Sequence, residues 1–122
     1  MTQSENWKYY DLEDRTAEFA KSVRMLVKRL KKTIGNVEDG KQVIRSSGSV
    51  GANYIEANEA FSKKDFVMRV KICRKEAKES RYWLRLIDLD DTHELESERS
   101  RLVQESAELM NIFGAILQKA KP

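Results

Sequence analysis

Apolar and small residues recur along this chain at alternating steps of four and three, in four separate stretches. The first runs Leu12, Thr16, Phe19, Val23, Leu26, Leu30, with Val27 and Ile34 widening the stripe. The second runs Val43, Ser47, Val50, Tyr54, Ala57, Phe61, and the third Phe66, Val70, Cys73, Ala77, Ser80, Leu84, Ile87. The fourth keeps the rhythm at Leu95, Leu102, Ser106, Leu109, Phe113, Ile116, Ala120. A mean spacing near 3.5 residues is the seam of a helix packed in a bundle, and no window alternates as a strand does. Gly35-Asn36 offers a C-terminal stop for the first helix. Ser62, with Asp65 three residues on, makes a start for the third. The stretch DLDDTHELES forms a turn, with Thr92 as cap and acids where the helix dipole favours them. The pattern predicts helices over residues 11–33, 39–61, 63–89 and 94–119. Short links between long amphipathic helices predict one all-α domain, 1–122, folded as an antiparallel up-down-up-down four-helix bundle.

Composition adds limits. The single proline is Pro122, so none interrupts a helix. Cys73 is the only cysteine, which excludes an intrachain disulfide and points to a reducing, cytoplasmic setting. The stretch MTQSENWKYYDLEDR has neither the basic nor the apolar region of a signal peptide. No apolar run approaches the roughly 20 residues that cross a bilayer, so no membrane partner is expected. Net charge is only +3, but it is segregated. Residues 15–32 hold seven Lys/Arg against Glu18, and 63–85 hold nine against Asp65, Glu76 and Glu79. Residues 88–110 hold eight acids against Arg99 and Arg101.

Little of this supports catalysis. Gly48-x-x-Gly51 is followed by Ala52 and Asn53, where a phosphate-binding loop needs Lys and Ser/Thr after a strand. Glu56/Glu59 and Glu76/Glu79 form Glu-x-x-Glu pairs, but a di-metal bundle needs inward Glu-x-x-His motifs, and the only histidine, His93, falls in a turn. Cys73 lies on the core seam, where a cysteine is a small hydrophobe. The expectation is a protein that is not an enzyme and carries no cofactor or metal. The basic residues do have order: Lys64, Lys71, Lys78 and Arg85 recur every seven residues along one outer face, broadened by Arg74, Lys75 and Arg81. Such a band is an electrostatic footprint for the phosphates of RNA or DNA. Charged outer faces are also the ordinary condition of solvated helices, and no aromatic residues interleave to stack bases.

The stretch RSSGSVGANYIEANEAF, residues 45–61, carries two glycines and three serines inside a helical pattern. A mid-helix glycine costs up to about 1 kcal/mol relative to alanine. Something must therefore approach this surface closely, either a neighbouring helix or a neighbouring subunit. Trp83 and Glu76 flank the third seam together, and a lone carboxylate there requires a partner, for which Arg45 and Asn53 are the candidates. With these motifs in hand, residues 42–87 closely resemble the bacterial four-helix-bundle family of proteins encoded in intervening sequences of 23S rRNA genes. The resemblance rests on Arg45-Ser46-Ser47, Ser49-Val50-Gly51-Ala52-Asn53-Tyr54, Glu56-Ala57, Ser62 with Asp65-Phe66, Lys75-Glu76-Ala77 and Trp83-Leu84. It implies a homo-oligomer, typically a ring of five, of ill-defined function. Accessory proteins of diversity-generating retroelements share that fold and pentameric form and bind nucleic acid and a reverse transcriptase, a role that is only an analogy here. On this resemblance Arg45, Gly48, Gly51, Asn53, Glu56, Glu76 and Trp83 become candidates for a subunit interface. A ring that binds RNA or DNA is the leading expectation; an oligomeric protein-binding scaffold without a nucleic-acid role is the alternative.

Overall fold

The computed structural model describes the backbone of residues 3–121 and the side chains of residues 12–121. Four helices follow in order: α1, Gln3–Lys28; α2, Ile34–Asn58; α3, Lys63–Leu86; α4, His93–Lys119. No strand occurs among the described residues. The links are short, so each helix reverses on the one before. Among the described residues α1 packs on α2, α2 on α3, α3 on α4, and α4 closes the ring against α1, while the diagonal pairs stay apart. Over the same residues the α2–α3 seam is the closest and the α1–α4 seam the loosest. This is the antiparallel four-helix bundle that the periodicity predicts.

The seam positions form the core. All six of the first seam are buried, five on α1 and Leu30 just past its end, as are Val43, Ser47, Val50, Tyr54 and Ala57 on α2. Val70, Cys73, Ala77, Ser80 and Leu84 fill α3's inner face, and Leu95, Leu102, Ser106, Leu109 and Phe113 fill that of α4. Tyr54 and Phe113 meet across the core with ring centroids 5.9 Å apart, a spacing typical of aromatic pairs.

The boundaries differ in instructive ways. α1 begins at Gln3, upstream of the first seam residue, because a seam marks where a helix packs and not where it starts. It ends at Lys28, and Gly35-Asn36 is not its stop. Thr33 is the N-cap of α2, its Oγ1 accepting from the Asn36 backbone N–H at 3.1 Å, which starts that helix five residues earlier than its hydrophobic pattern does. Ile34 therefore stands in solvent at the head of α2 instead of widening the α1 stripe. Phe61 is a further correction. α2 stops at Asn58, the heptad count runs past the helix end, and the ring is fully exposed. Ser62 caps α3 as expected, accepting from Asp65 N–H at 3.0 Å. Thr92 holds the N-cap position of α4 but makes no side-chain capping bond. Before it, Asp90 and Asp91 adopt positive φ of 53° and 56°, a left-handed turn that a short polar side chain tolerates.

Candidate nucleic-acid interface and the polar groove between α2 and α3

Lys64, Lys71, Lys78 and Arg85 all lie exposed on the outer side of α3. Among the described residues none of the four enters an ion pair. The acids of α4 are committed elsewhere. Arg15 of α1 donates from Nε and Nη2 to the two carboxylate oxygens of Glu105 at 2.8 and 2.7 Å, and from Nη2 to Glu108 at 3.0 Å. The hydrogen bond to Glu105 raises the Arg15 pKa, outweighing partial burial, so this fork stays charged. Arg29 reaches Glu94 at 3.1 Å, and Arg99 and Arg101 pair with Glu96 and Glu98 within α4. The acidic segment thus offsets α1 and itself, leaving the α3 band open.

The other basic candidates are placed differently. The Arg74 guanidinium lies over Gly114 of α4, 4.0 Å from where a Cβ would stand. Arg81 is half-buried, with its Nε enclosed and without a hydrogen-bond partner. Lys75 is exposed near Glu79 and helps hold that carboxylate ionised. The seven residues therefore form an exposed stripe with two arginines drawn aside.

The interface candidates separate onto two faces of α2. One face is small and meets α1. A Cβ on Gly51 would stand 2.8 Å from Thr16 Oγ1 and 3.2 Å from Thr16 Cβ, closer than side chains normally approach. Thr16 Oγ1 is itself fixed by donation to the Leu12 and Glu13 carbonyls. Gly48 faces Arg24 of the same helix, with 3.4 Å from a would-be Cβ to the guanidinium. Gly40, which the sequence motifs miss, repeats the arrangement against Val27 at 3.0 Å. Its distance of eleven residues from Gly51, about three turns, is the available signal. The close approach at Gly51 is thus made within the chain. Ser46 of the same stretch serves the α2–α3 seam, where it and Ser80 are fully buried and their hydroxyls lie 2.8 Å apart.

The second face is polar and meets α3. Glu76 is only 5% exposed, and Arg45 reaches it from α2 at 3.2 Å while also donating to Glu79 at 2.6 Å. Trp83 Nε1 donates to the same Glu79 oxygen at 3.1 Å. Partial burial works to raise the Glu79 pKa, and the bonds from Trp83 and Arg45 outweigh it, so the group sits below its ordinary value. Asn53 is not a partner of Glu76. Its amide donates to the Ser49 carbonyl and hydroxyl, and its Oδ1 accepts from Arg69 at 3.1 Å. Glu56 points to solvent. Arg69 belongs to this ribbon and went unrecognised in the sequence, since it resembles any other basic residue of α3.

Among the described residues no group of three or more His, Cys, Asp or Glu is placed to hold a metal ion, and no helix is long and apolar enough to cross a membrane. Burial pushes the Cys73 thiol up to about 12, so at neutral pH it is protonated.

Fold and surface together define an all-helical bundle whose α1–α4 side is neutralised internally and whose α3 face is openly basic. A family model described as 23S rRNA-intervening sequence protein matches residues 9–114, and the chain belongs to that family. A crystal structure of a protein of unknown function from the S23 ribosomal protein family of Bacteroides thetaiotaomicron VPI-5482 is similar, at 32% identity and a TM-score of 0.76. The match covers 91% of this chain and 98% of that one. A search of curated proteins finds no match.

Proposed function

We propose that this chain is a non-enzymatic, cytoplasmic bundle protein that assembles into a ring and binds RNA or DNA through the outer face of α3. The observation that carries the reading is the fate of the α4 acids. They are held by Arg15, Arg29, Arg99 and Arg101, so the lysine stripe keeps its charge. Family resemblance supports the ring, with five copies as the expected number. Repeating one stripe around a ring lets weak phosphate contacts act together.

Changing Lys71 and Lys78 to Glu tests this, because both side chains are exposed and the seam at Val70, Cys73 and Ala77 is untouched. The expected product keeps its mass by light scattering and loses most affinity for a single-stranded RNA probe. Residual binding should show a shallower salt dependence, by about one unit of slope for each phosphate no longer engaged. Lys31→Glu with Lys32→Glu, in the link between α1 and α2, is the control; an equal loss there would mean that bulk charge alone is responsible. Normal binding by the stripe variant would favour the second reading, an oligomeric scaffold that binds protein. That alternative draws support from Tyr82 and Leu86, which are about half exposed beside Trp83 and the Arg45–Glu79 pair.

A further inference from the structure

A broad concavity lies at one end of the bundle, where it adjoins the α3 stripe. It is an open groove of about 870 Å³ where the first turns of α3 run beside the last turns of α4. Its floor is apolar, made by Val67 and Met68 of α3 and Leu117 and Ala120 of α4. Met68 remains half exposed, and Phe61, just before the α3 cap, stands wholly in solvent. Lys63, Lys64, Lys71 and Lys121 rim it against the single acid Asp65. Among the described residues none of these lysines enters an ion pair.

We propose that this groove is a docking site for an acidic amphipathic helix of a partner protein. An apolar floor removes hydrophobic anchors from water, and a one-signed rim selects the charge that flanks them. The α3 stretch from Ser62 to Lys71 spans about 13 Å at helical rise, enough to seat two to three turns of a helix laid alongside. Nucleic acid fits less well. A phosphate backbone gains nothing from Val67, Met68 and Leu117, and among the described residues the groove lining holds no aromatic ring on which a base could stack. The proposal does not depend on nucleic-acid binding by the α3 stripe, although Lys64 and Lys71 belong to both surfaces.

The test is fluorescence anisotropy with a labelled 14-residue peptide of leucine–glutamate heptads, a length of about four turns. Two comparison peptides replace Glu by Lys or Leu by Ser. The acidic amphipathic probe should bind about tenfold or more tightly than either. Met68→Ser and, separately, Lys121→Glu should each weaken it by about tenfold while leaving the thermal melt and the affinity for single-stranded RNA unchanged. Met68 is exposed between Lys64 and Lys71, so its replacement is uncharged and leaves both lysines in place, and Lys121 is exposed outside the α3 stripe. Equal binding of the leucine-free peptide would overturn the proposal, because charge alone would then explain capture. So would full probe binding by Met68→Ser, or displacement of the probe by RNA through Met68 and Lys121, which would make the groove part of the nucleic-acid surface.

Discussion

Gly51 and Thr16 show how one missing side chain sets the distance between two helices. A methyl on Gly51 would press on Thr16 Oγ1 at 2.8 Å, so Gly51→Ala should destabilise the bundle by about 1–3 kcal/mol through overpacking, less the helix propensity regained. In a Thr16→Ala background the same change should cost clearly less, and a double-mutant cycle by urea denaturation reads that coupling. Additive effects would mean that this close approach does not govern the spacing. Glu79 makes a second residue-scale prediction. Its pKa lies below the ordinary 4.5, so the folded state binds this proton less readily than the unfolded chain does. The stability it contributes is present above about pH 4.5 and is lost as pH falls through the folded value. Trp83→Phe removes one of the two donors holding the carboxylate. NMR titration should therefore show the Glu79 pKa moving up in the variant, and an unmoved value would mean that Arg45 and Lys75 set it without Trp83. The need for a partner at Glu76 was legible in the sequence, with Arg45 as one of two candidates. Asn53 binding Arg69 was not, because seam positions report depth and say nothing about which of two neighbouring side chains a flanking amide will choose.

At the scale of elements, hydrophobic spacing predicts what packs better than where a helix begins. The six residues of the first seam are all buried, yet Asn36, which looks like a helix stop beside Gly35, ties two links together instead. Its amide donates to the carbonyls of Lys31 and Asp88 at 2.9 Å each, and its Oδ1 accepts from Asp88 N–H at 2.9 Å. One buried side chain thus joins the α1–α2 link to the α3–α4 link, and no local pattern encodes a partner 52 positions away. Asn36→Ala leaves those backbone groups to find water, and about 2 kcal/mol of stability should be lost. Thr33→Ala, which removes only the α2 cap, should cost about 1 kcal/mol. Chemical denaturation of both variants checks the order; a larger loss at Thr33 would show that capping, and not the clamp, secures this end. The exposed Phe61 has the same origin as the misplaced stop. A repeat counted along the sequence continues until something ends it, and here α2 ends first, with Glu59 N–H turned back onto the carbonyls of Glu56 and Ala57.

Across the whole molecule, charge and packing divide the bundle into unequal halves. The tight α2–α3 seam has interlocking serines, Ser46 against Ser80, and the Arg45 pairs on its outer side. The α1–α4 seam is the loosest and is bridged by ion pairs, Arg15 to Glu105 and Glu108, and Arg29 to Glu94. Loosely packed elements open first in native-state exchange, so α1 amides should exchange with deuterium before those of α2 and α3. The Arg29 pair is largely exposed and contributes little. The Arg15 fork is bidentate and roughly three-quarters shielded, which makes it the better lever. Arg15→Gln leaves Glu105 with a neutral partner, and an effect near 1 kcal/mol should speed α1 exchange about fivefold. Peptides from the α2–α3 pair should be unchanged, since neither helix touches the fork. Mass-spectrometric exchange on the intact protein distinguishes the outcomes. Uniform acceleration of all four helices would show that the bundle opens only as a single unit and that its loose seam has no independent motion.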